Sequence, residues 1–226
     1  MKQEMSVEEL CQRYGKLYTG AIYDVLEAKG LPNQLLSLKI KPLKLDMKVA
    51  GPAYTVKGVR RPTAEEWSGE RVDLLGGITH GCVVVYDPGR EYRSGHWGEL
   101  TSNAASVKGC QGVVVDGGAR DSTKHLQIPN WSCFCRYTSP IEAGTRQKIV
   151  AVQKPIFMSG SLTTVVRVES GDFIFGDLDG VLVIPKALAV EVLLETEPKV
   201  AAEDKGREEI RKGVDMREVG RKYRVG

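Results

Sequence analysis

The sequence predicts a mixed α/β fold, and three observations carry that reading. Two short stretches echo each other: Gly81-Cys82-Val83-Val84-Val85-Tyr86-Asp87 and Gly112-Val113-Val114-Val115-Asp116-Gly117. Each is a continuous apolar run closing on an aspartate, the pattern of a strand buried on both faces of a parallel sheet. The segment between them, GELTSNAASVKGC (98–110), is rich in small residues and helical in pattern. Strand, helix and strand make a βαβ unit with a right-handed crossover. Finally, the chain from residue 186 onward holds ten basic and nine acidic side chains. Val190, Leu193, Leu194 and Ile210 recur there at helical spacing, which predicts C-terminal helices with a solvated face.

The remaining elements are taken in chain order. Residues 6–30 read as two helices. Ser6 and Glu9 fit a capping box at the first start. Thr19 is the expected cap of the second, and Gly30 its C-terminal glycine. Residues 31–48 read as a loop and an edge strand, and 49–58 as a strand entered through Gly51-Pro52. The polar stretch 59–72 reads as a surface loop running into a helix around 73–78. After Asp121 a short helix, STKHLQ, precedes candidate strands at 132–136, 155–158, 162–168, 172–175 and 181–184. No linker interrupts the chain, so residues 1–226 are expected to form one domain.

Composition narrows the function classes. Lys and Arg total 32 against 29 Asp and Glu, a net charge of +3. That balance gives no polyanion-binding signature and no nucleic-acid partner is expected. The five cysteines include no CxxC pair, so zinc ribbons and redox motifs are unsupported. Cys82, Cys110 and Cys133 sit in apolar stretches as small core residues, Cys133 and Cys135 alternate on one strand, and Cys11 completes the five. Free thiols point to a reducing, cytoplasmic compartment. The N-terminus has no apolar secretory region, and no run of 18 apolar residues predicts a membrane span.

Chemistry is expected where the second apolar run ends, because ligands of open α/β sheets gather at the carboxyl ends of strands. Gly117 and Gly118 allow close backbone approach. Arg120 offers a planar fork to a carboxylate. Asp121 is a hard oxygen ligand of the kind Mg²⁺ or Mn²⁺ takes alongside waters. Gly98-Glu99-Leu100 opens the intervening helix, whose free N–H groups suit an anion. A plainer reading stands beside this one: Asp121 caps the STKHLQ helix and Arg120 makes a surface ion pair.

Glu99 and Arg120 are separated by twenty residues. The resulting E-x20-R-D pattern, inside WGELTSNAASVKGCQGVVVDGGARD, resembles the RraA-like family. That family includes class II aldolases acting on 4-hydroxy-4-methyl-2-oxoglutarate and 4-carboxy-4-hydroxy-2-oxoadipate. It also includes the regulator of ribonuclease activity A, and some members carry a demethylmenaquinone methyltransferase label. The resemblance extends to Thr19–Leu26 with Asp24, to 50–56 (AGPAYTV) and to the G-D-x-x-x-x-D-x-D-G-V segment at 171–181.

The resemblance implies a β/β/α swivelling-type domain with a mixed sheet and flanking helices. It implies that Asp121 ligates a divalent metal, Mg²⁺ or Mn²⁺, and that Glu99 orients metal-bound water. Arg120 holds a 2-oxo acid, whose carboxylate meets backbone N–H groups of Gly98, Glu99 and Leu100. A base takes the C4 hydroxyl proton, the C3–C4 bond breaks, and pyruvate enolate is left. Oxaloacetate decarboxylation passes through the same enolate and is an expected side activity. No Schiff-base lysine motif favours a class I route. The family's sites lie between subunits of a homotrimer or hexamer, to which Asp177 and Asp179 are candidate contributors, although both also read as turn formers before Gly180.

Other residues invite plainer readings. His80, His96 and His125 lack metal-ligand spacing. His96 and Trp97 are pocket-lining or packing residues. Asp87 ends a strand as a turn former, Asp116 is expected to hold the glycine turn by a local hydrogen bond, and Arg60 and Arg61 sit on a solvated loop. Two alternatives to the lyase are a non-catalytic, protein-binding regulator of ribonuclease and another enolate-forming lyase or hydratase on the same site. Glu99 and Asp121 together favour the enzyme.

Overall fold

A computed structural model describes residues 5–61 and 74–224. Most of the 59–72 loop, with Pro62, Glu65 and Glu66, and the first residue of the helix expected at 73–78 lie outside that range; residues 74–76 are helical.

The chain opens with α1 (Val7–Tyr14) and α2 (Thr19–Ala28). Ser6 caps α1 as expected, its hydroxyl accepting the Glu9 backbone N–H at 3.1 Å. The cap of α2 differs from expectation. Tyr18 occupies that position without a side-chain bond, and Thr19 is already helical. Asp177 does the capping from across the fold, accepting the Thr19 N–H at 2.8 Å and its hydroxyl at 2.7 Å.

The strands are β1 (Lys41–Pro42), β2 (Val49–Arg60), β3 (Val83–Asp87), β4 (Gly95–Trp97) and, after helix α3 (Glu99–Val107), β5 (Gly112–Ala119). A short helix α4 (Ser122–His125) leads to β6 (Ser132–Thr138), β7 (Gln147–Val152), β8 (Ile156–Ser159), β9 (Val165–Val168), β10 (Phe173–Gly176) and β11 (Val181–Ile184). Helices α5 (Ala189–Arg211) and α6 (Met216–Tyr223) close the chain.

One mixed sheet runs β1-β6-β5-β3-β2-β10-β11, with β4 beside β5 and β7 beside β2. Pairings among β2, β3, β5 and β6 are parallel, and those of β1, β7, β10 and β11 antiparallel. The expected strand–helix–strand unit is present, since β3 and β5 pair in parallel with α3 between them.

The period-2 alternation of strands explains how one sheet fills three cores. Val84, Tyr86, Val113 and Val115 face one side, packing with Trp97, Ala105 and Cys133. Val83, Val85 and Val114 face the other, where Ile156, Met158, Val166 and Val168 of the β8–β9 hairpin cover them. On β10 and β11, Phe173, Phe175, Leu182 and Ile184 turn toward α1, α2 and α5. Of the apolar stripe expected on α5, Leu193 is buried and Val190 packs partly against the same core. Ala189, Val192, Leu193, Thr196 and Val200 are buried, whereas Leu194 and Ile210 are exposed. No helix among the described residues is long and apolar enough to cross a membrane.

Candidate functional site at the ends of β4 and β5

Strand β5 does not stop at its apolar run. It continues through Asp116-Gly117-Gly118 to Ala119, and this extension builds the site. β3 pairs with β5 from Val83 to Tyr86. The chain then makes a loop and returns as β4, which lies parallel to the last residues of β5, Gly95 opposite Gly118 and Trp97 opposite Ala119. Two parallel strands that end together set their next residues side by side. Gly98-Glu99-Leu100 therefore emerges beside Arg120-Asp121, and the Arg120 N–H donates to the Trp97 carbonyl at 3.0 Å.

Asp121 stands at the N-cap position of α4 with φ +59, a left-handed conformation that aspartate tolerates better than most residues. Its carboxylate makes no capping bond. The nearest partner is the Arg120 Nε, 3.3 Å from Oδ2, an ion-pair distance without hydrogen-bond alignment. Gly98 is the residue this approach requires. A Cβ there would stand 3.1 Å from Asp121 Oδ2 and 3.3 Å from Arg120 Cγ. Glu99 opens α3 and accepts a hydrogen bond from the Asn103 side chain, one turn on. Leu100 is exposed. The first N–H groups of α3 have no helical acceptor, and Gly98 has no side chain to supply one.

Beneath these residues lie two buried polar braces, of which the sequence pointed only to His96 and Trp97 as lining or packing residues. In the first, the Trp97 indole donates to Ser102 Oγ at 2.8 Å, and that oxygen also lies 3.2 Å from His125 Nδ1 and from the Gly98 carbonyl. Burial pushes the His125 pKa down, against the backbone of Arg120 and the charge of Asp121, which push it up. In the second, the Gly118 N–H donates to His96 Nδ1 at 3.1 Å, and His96 Nε2 lies 2.9 Å from Glu91 Oε2. A ring that accepts at Nδ1 carries its proton on Nε2, facing the carboxylate. Burial pushes the Glu91 pKa up, but the Ser94 and Arg93 N–H groups and the neighbouring His96 outweigh it and hold the carboxyl below its ordinary value. Gly117 makes room for this ring, since a Cβ there would fall 2.6 Å from His96 Nδ1. His96 is thus a brace between β4 and β5. Its signal was only its place two residues before Gly98.

The other candidates lie elsewhere. Asp87 is a turn former, as expected, accepting the Gly89 N–H at 2.8 Å and pairing with Lys57. Asp116 does not hold the glycine turn. It pairs with Arg136 Nε and accepts the Ser159 N–H at 2.6 Å, because its side chain alternates toward the hairpin side of the sheet. Asp177, the cap of α2, also accepts the Asp179 N–H at 3.0 Å. His80 borders a cleft with Cys11 and Lys48, remote in the fold from Arg120. Arg60 ends β2 instead of lying on a loop, and Arg61 comes directly after it.

A half-exposed carboxylate, an arginine and an open helix N-terminus thus lie side by side. Comparison with known proteins then places the chain. The family profile described as RraA-like (Aldolase/RraA) matches residues 19–183, and the protein belongs to that family. A Halalkalibacterium halodurans protein named "Putative 4-hydroxy-4-methyl-2-oxoglutarate aldolase" is 35% identical over 195 residues, covering 84% of this chain and 82% of that one. Protein DlpA of Legionella pneumophila is 30% identical over 191 residues, 84% of this chain, which spans only 30% of DlpA. Among solved structures, one titled as novel cellulases from gut-associated microbes is 34% identical with a TM-score of 0.82, covering 91% of this chain and 90% of that one. Streptomyces coelicolor RraAS2, titled an unusual member of the RNase ES inhibitor RraA family, shares the fold at 22% identity, with a TM-score of 0.72 and coverage of 94% and 99%.

Proposed function

We propose that the protein is a divalent-metal-dependent carbon–carbon lyase that cleaves 4-hydroxy-2-oxo acids through a pyruvate enolate and decarboxylates oxaloacetate as a side activity. The observation that carries this reading is Asp121: a carboxylate at a helix start, in a left-handed conformation, that does no capping and lies beside Arg120 and Gly98. A cation site fits these residues. Among the described residues no group of three or more His, Cys, Asp or Glu forms a cage. Mg²⁺ and Mn²⁺ do not require one, since a single carboxylate with substrate oxygens and waters suffices. The Arg120 Nε, buried without a hydrogen-bond partner and only at ion-pair distance from Asp121, supports the same reading.

Asp121 would hold the cation, which when bound supplies Lewis-acid polarisation of the 2-oxo group. Every other role falls to the chain's own groups. Free N–H groups at the start of α3, from Gly98 to Leu100, hold the substrate carboxylate. Arg120 offers its fork to the 2-oxo oxygen and stabilises the negative charge that develops there as the C3–C4 bond breaks. Glu99 gives one oxygen to Asn103 and has the other for a water at the site. Ser102, backed by His125 and the Trp97 indole, holds the Gly98 carbonyl from below. A base at the site takes the C4 hydroxyl proton, C4 becomes the carbonyl carbon of the departing fragment, the C3–C4 bond pair passes to the enolate, and protonation at C3 yields pyruvate.

The test is pyruvate release from oxaloacetate and from 4-hydroxy-4-methyl-2-oxoglutarate with Mg²⁺ or Mn²⁺ and with EDTA. The proposal expects turnover of both with metal and none with EDTA. Full activity in EDTA, or no pyruvate from either substrate in a folded protein, overturns it.

A further inference from the structure

A second cleft opens at the C-terminal end of β6, where Tyr137 lies opposite Gly118 of β5. It has a volume of about 500 Å³ and is lined by Lys39, Tyr92, Arg136 and Tyr137. That size suits a small organic ligand. Gly98, Glu99, Leu100, Arg120 and Asp121 do not line it.

The local chain path explains how these four side chains meet. β1 runs antiparallel to β6 with Lys41 opposite Cys135 and Pro42 opposite Phe134. Continuing that register places Lys39 opposite Tyr137. From the other side, the Ser139 hydroxyl donates to the Arg93 carbonyl at 2.7 Å, which pins Tyr92 beside the end of β6.

Arg136 is the centre of the cleft. Its side chain is only 12% exposed. Asp116 engages it through Nε, and the second carboxylate oxygen is spent on the Ser159 N–H. Among the described residues the two terminal nitrogens of that guanidinium have no protein partner. The Tyr92 ring covers it, with the guanidinium carbon 5.3 Å from the ring centroid. Asp116 thus sets the plane of the fork and leaves its outer edge as unused donors. A fork of two N–H groups in one plane matches the two oxygens of a carboxylate. Lys39 adds a second positive charge at the rim, and its ammonium likewise has no partner among the described residues. The Tyr137 hydroxyl is already given to the Ser94 carbonyl at 3.3 Å, so that residue offers the cleft its ring. Two aromatic rings beside an oriented guanidinium favour a flat body carrying the acid.

We infer that this cleft is a second small-molecule site, separate from Arg120 and Asp121, for a carboxylic acid on a flat aromatic or unsaturated body. Its carboxylate meets Arg136 and Lys39, and its body lies against Tyr92 and Tyr137.

The experiment is a ligand-observed NMR titration of the full chain with sodium benzoate, cyclohexanecarboxylate and inorganic phosphate. Saturable binding of benzoate, tighter than either other probe, is the expected result. Tyr92→Leu weakens benzoate roughly tenfold and removes its advantage over cyclohexanecarboxylate, while Lys39→Ala weakens both acids by roughly threefold. Arg136→Gln abolishes binding. That variant leaves the buried Asp116 unpaired, so its fold is checked by thermal melting, and the two surface variants carry the test if it fails to fold. Arg120→Ala binds benzoate as the parent does. Absence of saturable benzoate binding, phosphate binding as tightly as benzoate, or loss of benzoate binding in Arg120→Ala with Tyr92→Leu unaffected would each overturn the assignment.

Discussion

Asp177 and Asp121 both stand at the start of a helix, and they are used in opposite ways. Asp177 is buried, and its two oxygens accept the Thr19 N–H, the Thr19 hydroxyl and the Asp179 N–H. Both of its oxygens are committed to the fold. Asp121 occupies the cap position of its own helix and caps nothing, and its side chain is 42% exposed. Asp121 thus forgoes a cap worth about 1 kcal/mol and keeps its carboxylate uncommitted to its own helix. The difference separates an aspartate that stabilises the structure from one available for chemistry, and sequence context alone does not make that distinction.

Breaking each side of this contrast should give different losses. The largest effect is expected from Asp121→Ala: a fall in kcat/KM for oxaloacetate on the order of 10³-fold, with the melting temperature unchanged or slightly raised. Next comes Arg120→Lys, which keeps the charge but loses the planar fork. Steady-state kinetics should show a loss on the order of 10²-fold, mainly in kcat.

Asp177→Ala sharpens the comparison from the other side. It removes the cap of α2 and strands the buried Thr19 hydroxyl, so denaturant unfolding should show a loss of about 2 kcal/mol. Activity of the protein that remains folded should be near that of the parent.

The smallest effect concerns pH. Burial holds His125 below its ordinary pKa, so the unfolded chain takes up the proton first. The native state is therefore favoured above the unfolded-state value of ~6.5, and stability falls as the pH drops through it. His125→Asn should make the fall in melting temperature between pH 7 and pH 5 shallower than in the parent, read as the difference between the two curves.

Much of the architecture was legible in local pattern. The two apolar runs, the helix between them and the closing helices all arise from residues whose burial tracks their own periodicity. β4 and β7 were not legible. Gly95–Trp97 is three residues long and becomes a strand only because Gly117 and Gly118 let another backbone lie against β5. On α5 the expected Leu193 and Val190 do pack on the core, whereas Leu194 and Ile210 face outward, because the buried face is set by α1 and α2, which the sequence of α5 does not encode. Glu99, Arg120 and Asp121 were singled out by spacing and by resemblance, and the parallel β4–β5 pair explains why Glu99 and Arg120, with twenty residues between them, lie side by side. The braces beneath them were not found. Glu91, His96, Ser102 and His125 show no spacing rule, because hydrogen bonds across a fold leave no period in a sequence. Asp116 misled for the same reason, its partners Arg136 and Ser159 lying 20 and 43 residues away.

Under the proposed function Asp121 serves catalysis, whereas Asp177 serves the fold by capping α2. The most direct test measures Asp121→Ala and Asp177→Ala together, recording Mn²⁺-dependent pyruvate release from oxaloacetate and thermal melting on the same samples. The account predicts a crossed result: Asp121→Ala melts like the parent and releases no pyruvate above background, whereas Asp177→Ala melts earlier and, below its transition, turns over at near the parent rate. Parent-level turnover by a folded Asp121→Ala protein would contradict it.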